Sequence, residues 1–135
     1  PKGGDWMLKT KTQSTAYNLI TDKDMTYSYA ETKTGATWVD GKPIYRRVFK
    51  VTNKSLSNGT MVQSFARSSF SELIRIYASL CGSNGGHIPF TRVGSSGKGS
   101  SIEYSSADNG FIYTGNDTWN AQSSRWLMII AEYTK

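Results

Sequence analysis

Cysteine and histidine are almost missing from this chain. Cys81 and His87 are each the single residue of their type in 135 residues, so no intrachain disulfide framework can form and a Cys/His zinc site has too few ligands. Nucleophilic catalysis by Cys81 would need His87 as its base, whereas a small, partly buried thiol at a strand end is the plainer reading. No apolar run approaches the roughly 20 residues of a membrane-spanning helix. No charged-then-apolar leader opens the chain, and no fixed-period repeat or heptad pattern runs through it. Helix-turn-helix, zinc-finger and RNP-type patterns are missing too. The sequence therefore leads us to expect no metal, no cofactor, no nucleic acid and no membrane insertion.

What is present is polar and turn-rich. Only 37% of residues are hydrophobic, and the abundance of Gly, Ser, Thr and Asn suits short strands joined by polar turns. The length fits one domain burying roughly two-thirds of its unfolded surface. The formal charge is +6, but the cations are scattered. Their one dense group, Arg46, Arg47, Lys50 and Lys54, is split by strand alternation and reads as a solvated strand face. The opening "PKGGDWMLKTKTQ" reads as a flexible basic lead, which sets the expected division: residues 1–15 as a lead from an upstream region, and residues 16–135 as one β-sandwich domain. Three Asn-x-Ser/Thr triplets, at Asn53, Asn58 and Asn116, are expected by chance in so polar a chain.

Periodicity supplies the strands. "AYNLI" and "MTYSYAET" flank a turn at residues 21–24. Asp40-Gly41 is a tight-turn pair, and Pro43, which cannot donate to a ladder, precedes a strand that alternates from Ile44. In that strand Tyr45, Arg47, Phe49 and Val51 form the more apolar face. Asn58-Gly59 predicts a hairpin turn pairing this strand with "MVQSFARSSF". "ELIRIYASLCG" alternates as a strand, with "HIPFTRV" as its partner and Pro89 at a strand start or edge. "GSSGKGSS" reads as a loop. "SIEYSS", "NGFIYTG" and "RWLMIIAEYTK" close the chain, the last long and apolar enough to lie centrally or at an interface between subunits. Eight to ten strands without intervening helices predict an all-β, antiparallel, jelly-roll-like β-sandwich.

The stretch "TYSYAETKTGATWVDGKPIYRRVF" resembles a module of bacteriophage and prophage tail fibre and receptor-binding proteins. The likeness centres on W-V-D-G-K-P-I-Y: Trp38, Val39, Asp40, Gly41, Lys42, Pro43, Ile44 and Tyr45. It extends to Tyr27-Ser28, to Gly35 and to the closing Glu132 to Lys135. "HIPF" at 87–90 and "GFIYTGND" at 110–117 also look like later strands of that family. The resemblance implies a homotrimeric β-sandwich head at the tip of a virion tail fibre or spike. Such a head binds a bacterial cell-surface glycan or protein during adsorption and joins other tail or virion proteins through its upstream region. It also implies that Trp38, Asp40, Gly41, Lys42, Pro43 and Tyr45 are scaffold, since receptor contacts in such heads lie on variable loops.

Among the loops, "TGNDTWNAQSSR" has the composition of a sugar site, with an aromatic plate for an apolar sugar face and planar polar groups for hydroxyls. Its candidates are Trp119, Asn116, Asp117, Asn120 and Arg125, with Tyr113 and Arg92 as flanking residues. Trp119 could instead fill a trimer contact, and Trp126 reads as core or interface. A structural collar or decoration domain is the alternative function. A polysaccharide depolymerase is a further one, which would need two carboxylates about 5–10 Å apart; no pair stands out.

Overall fold

The computed structural model describes residues 26–93, 99–116, 119–121 and 125–135, and the expected lead and the "AYNLI" segment lie outside them. Among the described residues the chain is all-β, with a single 3₁₀ turn at Arg67–Ser69 and no α-helix. The strands are β1 (Thr32–Thr37), β2 (Pro43–Val51), β3 (Lys54–Leu56), β4 (Met61–Ser64), β5 (Glu72–Gly82), β6 (His87–Pro89), β7 (Thr91–Val93), β8 (Gly99–Ser105), β9 (Gly110–Gly115), β10 (Trp119–Ala121) and β11 (Arg125–Thr134). That is more than the eight to ten expected, because several segments break into shorter pieces.

Two antiparallel sheets enclose one core, as in a β-sandwich. The five-stranded sheet has the order β1-β2-β11-β5-β6, the four-stranded sheet β4-β9-β8-β7, and β10 pairs with β3 in a separate ribbon. β11 is central, one of the two placements its apolar length allows. Leu127, Ile129, Ala131 and Tyr133 on its inner row are fully buried. Phe49, Val51, Ala78 and Leu80 continue that layer, and Val62, Ile102, Phe111 and Tyr113 face it from the other sheet. Phe65, in the connection after β4, joins the two layers: its ring lies 5.1 Å from Tyr133, 5.5 Å from Phe49 and 5.7 Å from Phe111. Each such aromatic pair adds about 0.5–1.5 kcal/mol beyond area burial.

The block at residues 38–45 folds as expected, into a turn that feeds a strand. Gly41 has φ +83° and donates its N–H to Trp38 O at 2.9 Å. The Asp40 carboxylate accepts the Lys42 N–H at 3.0 Å, which lowers its pKa despite a small opposing desolvation. Pro43 opens β2, where a missing N–H is tolerated. Trp38 Nε1 donates to Glu72 at 3.0 Å, tying the β1–β2 turn to the start of β5. Tyr45 stacks on Tyr133 at 6.3 Å.

Several expectations are corrected. Residues 26–31 of "MTYSYAET" are not a strand; β1 begins at Thr32. The Asn58-Gly59 turn exists, with Thr60 N donating to Ser57 O at 2.9 Å and Gly59 at φ +82°, but it makes no hairpin: β3 pairs with β10, and β4 with β9. Asn58 explains the divergence, because its side chain accepts the Gly115 N–H at 3.1 Å and so anchors the turn to β9. "HIPFTRV" divides between sheets. β6 is an edge strand that holds Pro89 beside β5, Phe90 is buried, and β7 joins β8. The "GSSGKGSS" loop is shorter than read, since Gly99 to Ser101 belong to β8. In β5 a bulge opposite Glu132 and Tyr133 skips Ile74. Leu73 therefore packs against the core on the same side as Ile76.

Candidate functional site

Of the residues chosen from the sequence, those described other than Tyr113 fall around one end of the sandwich. Arg92 in β7, Ser100 in β8 and Gly115 in β9 stand in consecutive register. Asn116 follows, exposed, and its Oδ1 accepts the Gly99 N–H at 2.8 Å. Trp119 and Asn120 lie in β10 opposite Leu56 and Ser55, two residues before the Asn58 that holds Gly115. Only the backbone of Arg92, Trp119 and Asn120 is described, and Asp117 lies outside the described residues. Arg125 is exposed where β11 opens opposite Gly82.

Tyr113 does not flank a cleft. It is 0% exposed, and its hydroxyl lies 2.9 Å from Ser100 Oγ, so it supports β8 and β9 from within the core. Trp126 is half-buried on the outer row of β11, with Lys50 Nζ 4.6 Å from its ring. Cys81 and His87 are register partners across β5 and β6, with Sγ 3.5 Å from Nδ1. The thiol is 4% exposed and closer to Ser79 Oγ, at 3.3 Å, which matches a packed rather than a presented cysteine.

A second region, which sequence reasoning passed over, lies at the other end. A cleft of about 390 Å³ opens between the sheets, lined by Glu31, Arg47, Phe65, Ser68, Ser69, Phe70, Ser71 and Lys135. Three segments build it. The inward row of β2 brings Arg47 to the mouth of the core, its guanidinium 4.9 Å from the Phe49 ring and its Nε donating to Tyr29 O at 3.1 Å. The connection from β4 to β5 supplies the serines and both phenylalanines. It is held in shape by Arg67, which donates to Phe70 O and, at 2.9 Å, to Ser71 O. Ser71 N donates to Thr134 O at 2.7 Å, fixing this connection to the end of β11.

Glu31 closes the cleft from a third side. Its carboxylate accepts the Tyr133 hydroxyl and the Lys135 ammonium. Burial pushes the Glu31 pKa up, but these two donors and the charges of Lys135 and Arg47 together hold it below the usual carboxylate value. The Tyr133 phenol moves the other way, raised first by burial and then by the Glu31 carboxylate. The signal for Arg47 was in the sequence, as an arginine interrupting the apolar row Tyr45, Phe49, Val51. The signals for Glu31 and the serines were not, because only the folded connection brings them to that row.

Among the described residues no group of His, Cys, Asp and Glu could hold a metal ion. Comparison with protein families, curated proteins and solved structures finds no match to this chain.

Proposed function

We propose that this chain is the non-enzymatic head of a phage tail fibre or spike, a jelly-roll-like homotrimer that attaches the virion to the bacterial surface. The observation that carries the reading is the use made of the block at residues 38–45, on which the resemblance rests. Asp40 and Gly41 build the turn, Trp38 ties it to β5, and Tyr45, partly buried, stacks on Tyr133 at the edge of the core. Those are scaffold roles, and they leave recognition to the loops and cleft at the two ends.

Among the described residues the carboxylates are held within the scaffold. Each described one is engaged with a neighbour: Glu31 with Lys135, Asp40 with Lys42, Glu72 with Trp38, Glu103 with Ser101, Asp108 with Ser105 and Glu132 with Arg46 and Arg75. None is framed as a free acid and base pair. Assembly is supported by the outer face of the five-stranded sheet. There Val48, Met128 and Ile130 line a hollow of about 500 Å³ with Tyr27, Ser28 and Tyr29, and Tyr77 beside Ile130 is 47% exposed. Three copies on one head would raise avidity about 10²- to 10⁴-fold over a single site.

Labelled protein incubated with a panel of bacteria tests the function. Saturable decoration of particular strains is the expected result. A trimer that decorates no strain would favour a collar or decoration domain, and release of reducing ends from capsule or wall glycan would overturn the non-enzymatic reading. Trp119→Ala tests the first end: unchanged decoration by a folded variant removes the β10 loop from the receptor site.

A further inference from the structure

We propose that the cleft between β2, residues 65–71 and the end of β11 binds a hydroxylated anion, that is, a sugar or polyol carrying a carboxylate or phosphate. The proposal rests on the reading of the chain as a surface-binding head and names the ligand chemistry for it.

The charge pattern decides the sign. Arg47 and Lys135 face one carboxylate, Glu31, which already accepts two donors. Arg47 has only its Nε engaged, so the two terminal nitrogens of its fork have no hydrogen-bond partner among the described residues. A guanidinium fork in that state donates to carboxylate or phosphate oxygens in pairs, and does so more strongly at a partly buried site than in open water. Its position is already held by the Nε bond to Tyr29 O and the contact with the Phe49 ring, which reduces the freedom lost on binding.

The neutral lining decides the rest of the ligand. The hydroxyls of Ser68, Ser69 and Ser71 take no hydrogen-bond partner among the described residues. Each can both donate and accept, which suits ligand hydroxyls rather than a bare inorganic anion. Phe65 and Phe70 give an apolar edge for ligand C–H groups. Arg67 and Thr134 hold the backbone of the serine connection, so the chain that carries the hydroxyls is in place before the ligand arrives. A volume of about 390 Å³ lies at the small end of the usual range for ligand pockets and fits one or two sugar units.

The test is an amide-shift titration of ¹⁵N-labelled protein with D-glucuronate and with sn-glycerol 3-phosphate, using D-glucose as the neutral control. At least one anion should give saturable shifts at Arg47, Ser68, Ser69, Ser71 and Lys135. Glucose should give much smaller shifts, and Arg47→Gln should weaken the anion about 10-fold or more. A response to glucuronate alone assigns the charge to an acidic sugar, and one to glycerol phosphate alone to a polyol phosphate. Ser69→Leu at the exposed rim fills the cleft without touching the core, and should abolish the shifts even if Arg47→Gln proves poorly folded. No localised shift with either anion up to about 50 mM, equal shifts with glucose, or shifts indifferent to both substitutions would overturn the proposal. Cell decoration separates the two readings. Protein that binds the anion here yet decorates no strain sinks the host-binding function and leaves the cleft. Protein that decorates cells but binds neither anion sinks the cleft and leaves the function.

Discussion

Thr134 is fully buried, and its hydroxyl has no hydrogen-bond partner among the described residues. A buried hydroxyl without a partner costs about 1–3 kcal/mol relative to solvent. Thr134→Val keeps the shape and removes that cost, so the variant should be more stable by about 1 kcal/mol in a urea denaturation, and a loss of stability would mean the hydroxyl is satisfied in solution. Its neighbour Tyr133 acts in the opposite sense, since its hydroxyl meets the Glu31 carboxylate. The Glu31 pKa is lower in the folded chain than its ordinary 4.5. The stabilisation from its donors is therefore complete above that value and is lost as pH falls through the lower folded one. Urea midpoints of wild type and Glu31→Gln should differ by a constant amount from about pH 6 upward and draw together below about pH 4.5. A gap that is the same at pH 3 and pH 7 would show that the carboxylate charge plays no part. Tyr133 adds an alkaline limit, because its raised pKa makes its contribution complete below the ordinary phenol range and lost as pH rises above it.

Strands with two-residue alternation and their own turn residues were legible. β5 and β11 have the expected bounds to within a residue, β11 is central, one of the two placements its apolar length allowed, and Pro89 lies at an edge. Partnership was less legible. The Asn58-Gly59 turn is real, but turn chemistry specifies only a reversal, and the pairing of β3 with β10 and of β4 with β9 depends on segments more than 45 residues away. The site was hidden for the same reason. Arg47 broke an apolar row in plain view, whereas Ser68 and Lys135 become its neighbours only when the sheets close. Tight backbone approaches are equally non-local. At Gly115 an added Cβ would lie 2.5 Å from Gly99 O and 2.9 Å from the Tyr113 hydroxyl, at the point where Asn58 and Asn116 tie three segments together. Gly115→Ala should cost about 1–3 kcal/mol and should release the amides of Gly99 and Gly115 to faster hydrogen exchange. Unchanged stability with unchanged exchange would mean that β8 and β9 can part there at no cost.

For the whole molecule, the arrangement of polar and apolar surface gives the two faces of the five-stranded sheet different roles. The inner face is closed by aromatic contacts with the four-stranded sheet. The outer face presents three successive cross-strand rows: Arg46, Glu132 and Arg75 as an ion-paired row, then Val48, Ile130 and Tyr77, then Lys50, Met128 and Ser79. An apolar row with Met128 beside it, bounded by the ion-paired row on one side and by Lys50 on the other, is the pattern of an interface centre with a polar rim, and the +6 charge disfavours association that is not specifically matched. If the proposed trimer closes through this face, Tyr77 is its most sensitive position, since its side chain is 47% exposed in the single chain and can be changed without disturbing the core. Light scattering on a sizing column should give a mass of about three chains for wild type and about one chain for Tyr77→Glu, with the thermal unfolding of the single chain preserved. A wild-type mass of one chain would show that this chain does not form the trimer by itself, and a trimer indifferent to Tyr77→Glu would place the contact on another face.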